Sequence, residues 1–145
     1  MLRRKGFTIL ELLIVIAVIA ILVGIALPRF KGMQDEGNIA KAKGELRTLQ
    51  TAVQSYYIHY SAMPTLGQLT TAVPNIVGTT LPKDPFVAGG ATDYGFAING
   101  TYFVLFSASP SGAGTASIGA TGAVTAGVNT VYVTNGTADP AHPSL

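Results

Sequence analysis

The residue best placed to do chemistry is Glu11, a carboxylate inside an apolar run that extends from Phe7 to Leu27. A bare carboxylate in hydrocarbon costs on the order of 2–3 kcal/mol, so it needs a cationic partner or access to water. Cutting the chain between Gly6 and Phe7 would create such a cation, an α-amine four residues before the acid. The amine could pair with Glu11 of its own chain or of another copy. Alternatively, Glu11 lies one turn from the helix end and reaches the lipid headgroups.

Few other side chains suit catalysis or metal binding. The 145 residues include no cysteine and only two histidines, His59 and His142. A disulfide framework, a thiolate zinc site and a cysteine nucleophile are therefore excluded. We interpret His59, which lies beside tyrosines, as a packing or surface residue. No nucleophile elbow or ligand-spaced cluster accompanies the remaining polar residues, so we predict a protein that is not an enzyme and holds no cofactor.

The basic residues are concentrated at the N-terminus. Three of the nine Lys and Arg residues are Arg3, Arg4 and Lys5, and the seven acidic residues nearly balance the total. A nucleic-acid surface needs clustered cations that displace counterions from phosphates, so we expect no nucleic-acid partner. A basic N-terminal flank favours a cytoplasmic N-terminus for a membrane-inserted chain.

The apolar run is long enough to cross a bilayer. Its twenty-one residues would form a helix of roughly 31 Å. A secretory signal cut after the run is the alternative, but signal cores usually have only ~7–15 residues, and Pro28 and Arg29 would follow the cut directly. An ordinary signal also gains nothing from Glu11. We therefore interpret the run as a retained transmembrane helix.

The N-terminal residues resemble a known processing signal. The order Arg3-Arg4-Lys5-Gly6, Phe7, Thr8, two apolar residues, Glu11 and a long apolar helix is similar to the class III signal of type IV pilins and pseudopilins. The resemblance implies cleavage by prepilin peptidase between Gly6 and Phe7, and N-methylation of Phe7. It also implies that Glu11 recognises the N-terminus of a neighbouring subunit during assembly. Residues 1–6 would then be a leader, and residues 7–28 a transmembrane and assembly helix.

A proline follows the apolar run. Pro28 has no amide hydrogen, so the carbonyl of Gly24 loses its helical partner and a kink or local loosening of the helix is expected between them. In the pilin family a similar Gly-to-Pro segment stretches when subunits pack into a filament. Alternatively, the helix ends at Leu27 and restarts.

Residues 29–62 are predicted to form an amphipathic helix, so that one long, interrupted helix runs from residue 7 to about 60. Apolar residues recur there at steps of three and four, which is typical of a helix with one covered face. They are Ile39, Ala42, Leu46, Leu49, Val53, Tyr57 and Tyr60.

Residues 63–145 show the signals of turns and short strands. Asn99-Gly100 between the apolar segments Tyr94–Ile98 and Thr101–Ser107 predicts a β-hairpin. Thr130–Thr134 is a further candidate strand, and Thr65–Val73 fits a short helix. We expect the sheet to pack its apolar face on the amphipathic helix, which gives an α+β, pilin-like fold.

The stretch Ser107–Gly127 is rich in Gly, Ala, Ser and Thr. Its composition fits either a mobile loop or a strand of small residues.

The middle of the chain is similar to the major, G-type pseudopilin of type II secretion systems. The likeness includes the segment Leu81–Phe86, although that family typically has tryptophan where this chain has Phe86. The family also binds calcium in an acidic C-terminal loop, and the corresponding stretch here has no acidic residue. Asp84 and Asp93 are the remaining calcium candidates, but calcium usually takes several carboxylates and we do not predict a site. We instead expect Lys83 and Asp84 to pair and stabilise a turn.

These observations together predict a structural filament subunit. The precursor would be a single-pass protein of the bacterial inner membrane with its globular domain in the periplasm, and it would then join a periplasmic or surface filament. Its expected partners are copies of itself, other pilins or pseudopilins, prepilin peptidase/methyltransferase and an inner-membrane assembly platform. The preferred function is protein export as a type II secretion pseudopilin. The alternatives are a type IV pilus pilin, for adhesion, motility or DNA uptake, and an anchored module that does not polymerise.

Overall fold

The computed structural model divides into two compact units, Met1–Glu36 and Gly37–Leu145. The residues that the structure describes are 6–87, 92–110 and 112–142. The basic residues Arg3, Arg4 and Lys5 lie outside them. One long helix, α1, spans Ile9–Tyr60 and contributes to both units.

The first unit consists of the N-terminal part of α1. The helical backbone continues through Pro28, so the expected interruption at this residue and the alternative of an end at Leu27 are both wrong. A single proline removes one backbone hydrogen bond, and the bonds of the flanking turns remain. Whether the helix bends at Gly24–Pro28 stays a prediction.

The part of α1 in the second unit buries one face. Its buried residues are Ala42, Leu46, Leu49, Ala52 and Val53. The next contact with the core comes from Tyr56, whose ring stacks on that of Tyr60 with centroids 4.4 Å apart. The sequence pattern placed Tyr57 and Tyr60 in this face, but both are exposed. The buried stripe keeps alternating steps of four and three residues, which leads from Val53 to Tyr56 and leaves Tyr57 one position outside.

A short helix, α2, follows at Leu66–Leu69. The side-chain carbonyl of Gln68 accepts a hydrogen bond from the Thr65 backbone N–H at 2.8 Å and so caps its start. α2 ends earlier than the predicted segment. The hydroxyls of Thr70 and Thr71 donate to the carbonyls of the preceding turn, an alternative to continued helix.

A three-stranded antiparallel sheet packs on α1, as predicted. Strand β1 (Gly95–Asn99) pairs with β2 (Tyr102–Phe106), and β2 pairs with β5 (Tyr132–Thr134), in the order β1-β2-β5. The turn between β1 and β2 contains Gly100 at a φ of 61°, a conformation that favours glycine. The predicted hairpin is therefore confirmed.

The low-complexity stretch forms a second, two-stranded sheet. Strands β3 (Ala116–Ile118) and β4 (Val124–Ala126) pair in antiparallel register. They cover the face of the first sheet that points away from α1, where Ile118 and Val124 pack with Val104 and Tyr132. Of the two alternatives for this stretch, a mobile loop or a strand of small residues, the strand is therefore correct for the six residues of β3 and β4.

The second unit therefore has three layers, α1, the three-stranded sheet and the β3-β4 hairpin. Strand β2 lies in the centre, because Phe103 and Leu105 pack with the residues of α1 while Val104 packs with the hairpin. The α+β class, with a long N-terminal helix on a small antiparallel sheet, is confirmed.

Candidate assembly site at the start of the first helix

Glu11 and Thr8 form a capping box at the start of α1. The backbone N–H and the hydroxyl of Thr8 donate to Oε2 of Glu11 at 3.0 and 2.9 Å. In return, the Glu11 backbone N–H donates to Oγ1 of Thr8 at 3.2 Å. Helix starts leave backbone N–H groups without partners, and this reciprocal pair satisfies two of them. Glu11 therefore has a structural role that the sequence analysis missed. The signal for it was the spacing Thr-x-x-Glu at the start of the apolar run.

The cap leaves part of the Glu11 carboxylate available. Among the described residues, the hydrogen bonds to this side chain all end on Oε2. Glu11 is exposed, as are Gly6 and Phe7, whose side chain is 87% exposed. The structure thus brings the predicted cleavage point and the acid to the same accessible end of α1.

The apolar part of α1 is exposed. Fourteen large apolar side chains of α1 from Ile9 to Leu27 each have about half or more of their surface free, and the buried residues of α1 lie further along the chain. By length and composition, α1 is also long and apolar enough to cross a membrane. Such a surface needs lipid or other apolar helices around it.

Gly24 and Pro28 lie well inside α1 and also face outward. A side chain added at Gly24 would contact nothing within 4 Å outside the local helix backbone. Glu11 and Gly24 are thirteen positions apart, which corresponds to about 20 Å of helix, so the structure does not bring these residues into one site.

Asp84 and Asp93 of the second unit form hydrogen bonds and an ion pair with other residues of that unit. Lys83 pairs with Asp93, with Nζ and Oδ1 2.7 Å apart, so the expected Lys83–Asp84 pair is wrong. The carboxylate of Asp84 is instead buried. It accepts hydrogen bonds from the Ser107 hydroxyl at 2.8 Å and from the backbone N–H groups of Ala108 at 2.6 Å and Phe86 at 3.0 Å. Asp84 thus ties the Leu81–Phe86 segment to the end of β2.

These contacts bear on the two calcium candidates. Both oxygens of Asp84 accept hydrogen bonds, and Asp93 contacts an ammonium group. Within the described part of the chain, no three His, Asp or Glu side chains come together as a metal site would require.

Asp139 fixes the C-terminal segment to β4. Its carboxylate accepts hydrogen bonds from the backbone N–H groups of Ala126 at 3.0 Å and Ala141 at 2.9 Å. These two bonds, and to a smaller extent the neighbouring His142, hold the pKa of Asp139 below its usual value. His142 Nδ1 lies 3.6 Å from Oδ2 of Asp139. His59 is exposed on α1, as the sequence predicted.

Tyr94 joins the sheet side of the core to α1. Its buried hydroxyl donates a hydrogen bond of 2.6 Å to Oε2 of Glu45. Burial raises the pKa of Tyr94 far above its usual range, and the hydrogen bond to Glu45 and the charges of Glu45 and Asp84 add to the increase.

Comparison with known families finds a motif at the N-terminus. Residues 1–27 match the model of the prokaryotic N-terminal methylation motif. This match covers both the predicted cleavage point and Glu11. The chain is pilin-like.

Relatives of two kinds resemble the pilin-like chain. It is 33% identical over 103 residues to the type IV major alpha-pilin of Moraxella bovis, which covers 67% of this chain and 64% of the relative. It is 39% identical over 67 residues to the type IV narrow pilus major component of Thermus thermophilus, covering 46% of this chain and 58% of the relative. It is 26% identical over 83 residues to the type II secretion system core protein G of Pseudomonas aeruginosa, covering 57% of this chain and 58% of the relative.

The pilin-like chain thus spans less than two thirds of the length of each of these relatives. No solved structure matches it significantly. The relatives are structural pilins and a pseudopilin, which supports a structural subunit of one of these two kinds.

Proposed function

We propose that this chain is the subunit of a helical filament whose core is built from the apolar parts of α1. The observation that carries the proposal is the exposed apolar surface of α1 up to Leu27, with a single carboxylate, Glu11, at its start. When this surface leaves the lipid and contacts the same surface of other copies, its apolar side chains remain shielded from water outside the membrane. The mechanism is therefore assembly, without a catalytic step by this chain.

Processing would prepare the site. Prepilin peptidase would cut between Gly6 and Phe7, and the new α-amine of Phe7 would be methylated. The capping box uses Oε2 of Glu11, which leaves Oε1 to accept the amine of a neighbouring copy. An ion pair surrounded by apolar helices is strong only when its geometry is good, so this pair would select one arrangement of neighbours.

Before assembly, the precursor would span the bacterial inner membrane once. The positive-inside bias places Arg3, Arg4 and Lys5 in the cytoplasm and the second unit in the periplasm. Other pilins or pseudopilins and an inner-membrane assembly platform would be its remaining partners.

We favour protein export as the purpose of the filament. The support is the similarity to a type II secretion system core protein G, together with the Leu81–Phe86 segment that Asp84 holds against β2. A surface pilus is the second candidate, and the longer match to a type IV major alpha-pilin favours it.

Intact-mass analysis and electron microscopy test the proposal together. Filament subunits should begin at a methylated Phe7, and replacing Gly6 by Val should leave the leader in place and abolish filaments. A wild-type chain that keeps Met1–Gly6 and forms no filaments would contradict the proposal and favour an anchored module. Deleting the gene would then separate the two candidates, since export fails in one case and surface pili disappear in the other.

A further inference from the structure

A surface groove of the second unit lies between the last turns of α1 and the loops that follow β1 and β5. Its volume is about 460 Å³, which falls within the range of about 300–1,000 Å³ that small-molecule sites occupy. The residues that line it lie between Gln54 and Asn135, so the whole groove belongs to the second unit and is separate from the assembly site at Glu11.

One part of the groove is apolar. It is lined by the buried Phe103 and by Tyr57, Ile58 and Met63. Tyr57 is 38% exposed, so part of its ring is accessible to a ligand. The face of an aromatic ring is electronegative and attracts the polarised C–H groups that cover one face of a sugar ring. Tyr57 therefore offers a surface on which such a ring can stack.

The other part of the groove consists of amide and hydroxyl groups. The Asn135 side chain is held in place, because its Oδ1 accepts from the Phe103 backbone N–H and its Nδ2 donates to the Thr101 carbonyl, both at 2.8 Å. In the described part of the chain, the Gln54 amide and the Thr101 hydroxyl form no hydrogen bond with the protein. Amides and hydroxyls both donate and accept, as sugar hydroxyl groups do.

We propose that this groove binds a neutral pyranose sugar. The ring stacks on Tyr57, and the side chains of Gln54, Thr101 and Asn135 contact its hydroxyl groups. None of the described residues that line the groove is charged, so a phosphate, sulfate or carboxylate group would lose water there without gaining a counter-ion. The lining therefore favours a neutral ligand over an anionic one.

A protein segment suits the groove less well. A peptide that extended the sheet would need free backbone groups, but the Phe103 N–H and the Thr101 carbonyl are already bonded to Asn135. An apolar segment of a second copy would cover the Gln54 and Thr101 side chains without replacing their hydrogen bonds to water. The polar groups therefore favour a sugar over either segment.

Titration of the full chain, in a detergent that has no sugar headgroup, tests the site. Methyl β-glucopyranoside and N-acetylglucosamine should shift the backbone NMR signals of the groove residues, with a Kd of about 1 mM for a ligand of this size. The sugar that binds more tightly shows whether the natural ligand is a hexose or an amino-sugar polymer. Methyl β-glucuronide, which carries a carboxylate, should bind more weakly than the glucoside.

Variants separate stacking from hydrogen bonding. Tyr57→Ala should weaken sugar binding about tenfold, whereas Tyr57→Phe keeps the ring and should bind almost as the wild type does. Tyr60→Ala is the control, because Tyr60 is also exposed near the end of α1 but does not line the groove. Gln54→Ala, at an exposed position, should weaken binding about fivefold through the loss of one hydrogen bond. Thr51→Ala, one turn earlier, should have no effect.

Four results would overturn the proposed site. The first is the absence of saturable shifts with either neutral sugar, and the second is tighter binding of the glucuronide. The third is binding that Tyr57→Ala and Gln54→Ala leave unchanged. The fourth is a shift of the groove signals when the sugar-free chain is diluted, which would assign the groove to a second copy. Because the titration uses unassembled chains, none of these results depends on the proposed filament.

Discussion

At the scale of single residues, Asp84 is the buried acidic side chain of the described chain. It is 1% exposed, and three N–H and O–H donors contact its two oxygens. Removing one side of such a buried network leaves groups without partners, which costs about 1–3 kcal/mol, and more for charged groups. Asp84 is therefore a structural residue that joins two segments 23 positions apart.

Replacing Asp84 by Asn should lower the free energy of unfolding by about 1–3 kcal/mol, since one oxygen becomes an NH₂ group facing donors. Thermal unfolding of the full chain in detergent, followed by circular dichroism, measures the loss. Asp93→Asn is the matched control, because the exposed Lys83–Asp93 pair should contribute at most about 1 kcal/mol. Equal effects of the two substitutions would contradict the assigned role.

Tyr94 should make stability depend on alkaline pH. Its pKa in the folded chain is raised above the unfolded value of about 10. The stabilisation is therefore complete below pH ~10 and is lost as the pH rises further, by up to about 1.4 kcal/mol per pH unit. Denaturant unfolding of the wild type and Tyr94→Phe between pH 9 and 11 compares the slopes. The variant should be less stable at pH 9 and decline less steeply, and parallel curves would contradict this account.

At the scale of elements, several local signals predicted the structure correctly. Asn99-Gly100 predicted the β1-β2 hairpin because Gly100 readily adopts a positive φ, although the two-residue turn is Gly100-Thr101 and Asn99 still pairs with Tyr102. The sequence pattern predicted the buried face of α1 correctly up to Val53 but then continued to Tyr57 instead of Tyr56. A step of three and a step of four both fit a helix, and only the contact with the core determines which of the two tyrosines is buried.

Contacts between distant segments could not be predicted in this way. The β3-β4 hairpin lies in a stretch whose composition also fits a loop, and its strands form because Ile118 and Val124 find the second face of β2. The bonds of Asp84 likewise depend on Ser107 and Ala108, which only the folded sheet brings close. The capping box of Thr8 and Glu11 differs, because its signal was local and could have been read.

The β3-β4 hairpin should be needed for stability despite its simple composition. Ile118→Ala removes a side chain that is 8% exposed and should cost about 2–4 kcal/mol. Val128→Ala is the control, since Val128 is exposed and its truncation should change stability by less than about 0.5 kcal/mol. The melting temperatures of both variants test the difference. A loss for Ile118→Ala no larger than for Val128→Ala would show that the hairpin is dispensable.

At the scale of the whole molecule, the two units differ in how much apolar surface they expose. The second unit buries its apolar residues in two clusters, whereas the first exposes the apolar residues of α1. A chain of this composition cannot leave the first unit in water, so lipid and other copies are its two possible surroundings. The proposed life of the protein, from membrane precursor to filament subunit, is a transfer between them.

Substitutions can separate the charge of Glu11 from its role in the capping box. Glu11→Gln keeps a side-chain carbonyl for the capping box and loses only the charge, while Glu11→Ala loses both. Thr8→Ala weakens the cap and keeps the acid. All three variants should insert into the membrane and be processed.

The decisive measurement is the fraction of processed subunits that Glu11→Gln incorporates into filaments. If the carboxylate pairs with a neighbour's amine, this variant should fail to assemble as completely as Glu11→Ala, while Thr8→Ala still assembles. If Glu11→Gln polymerises like the wild type, Glu11 serves only as a helix cap and the proposed assembly mechanism is wrong.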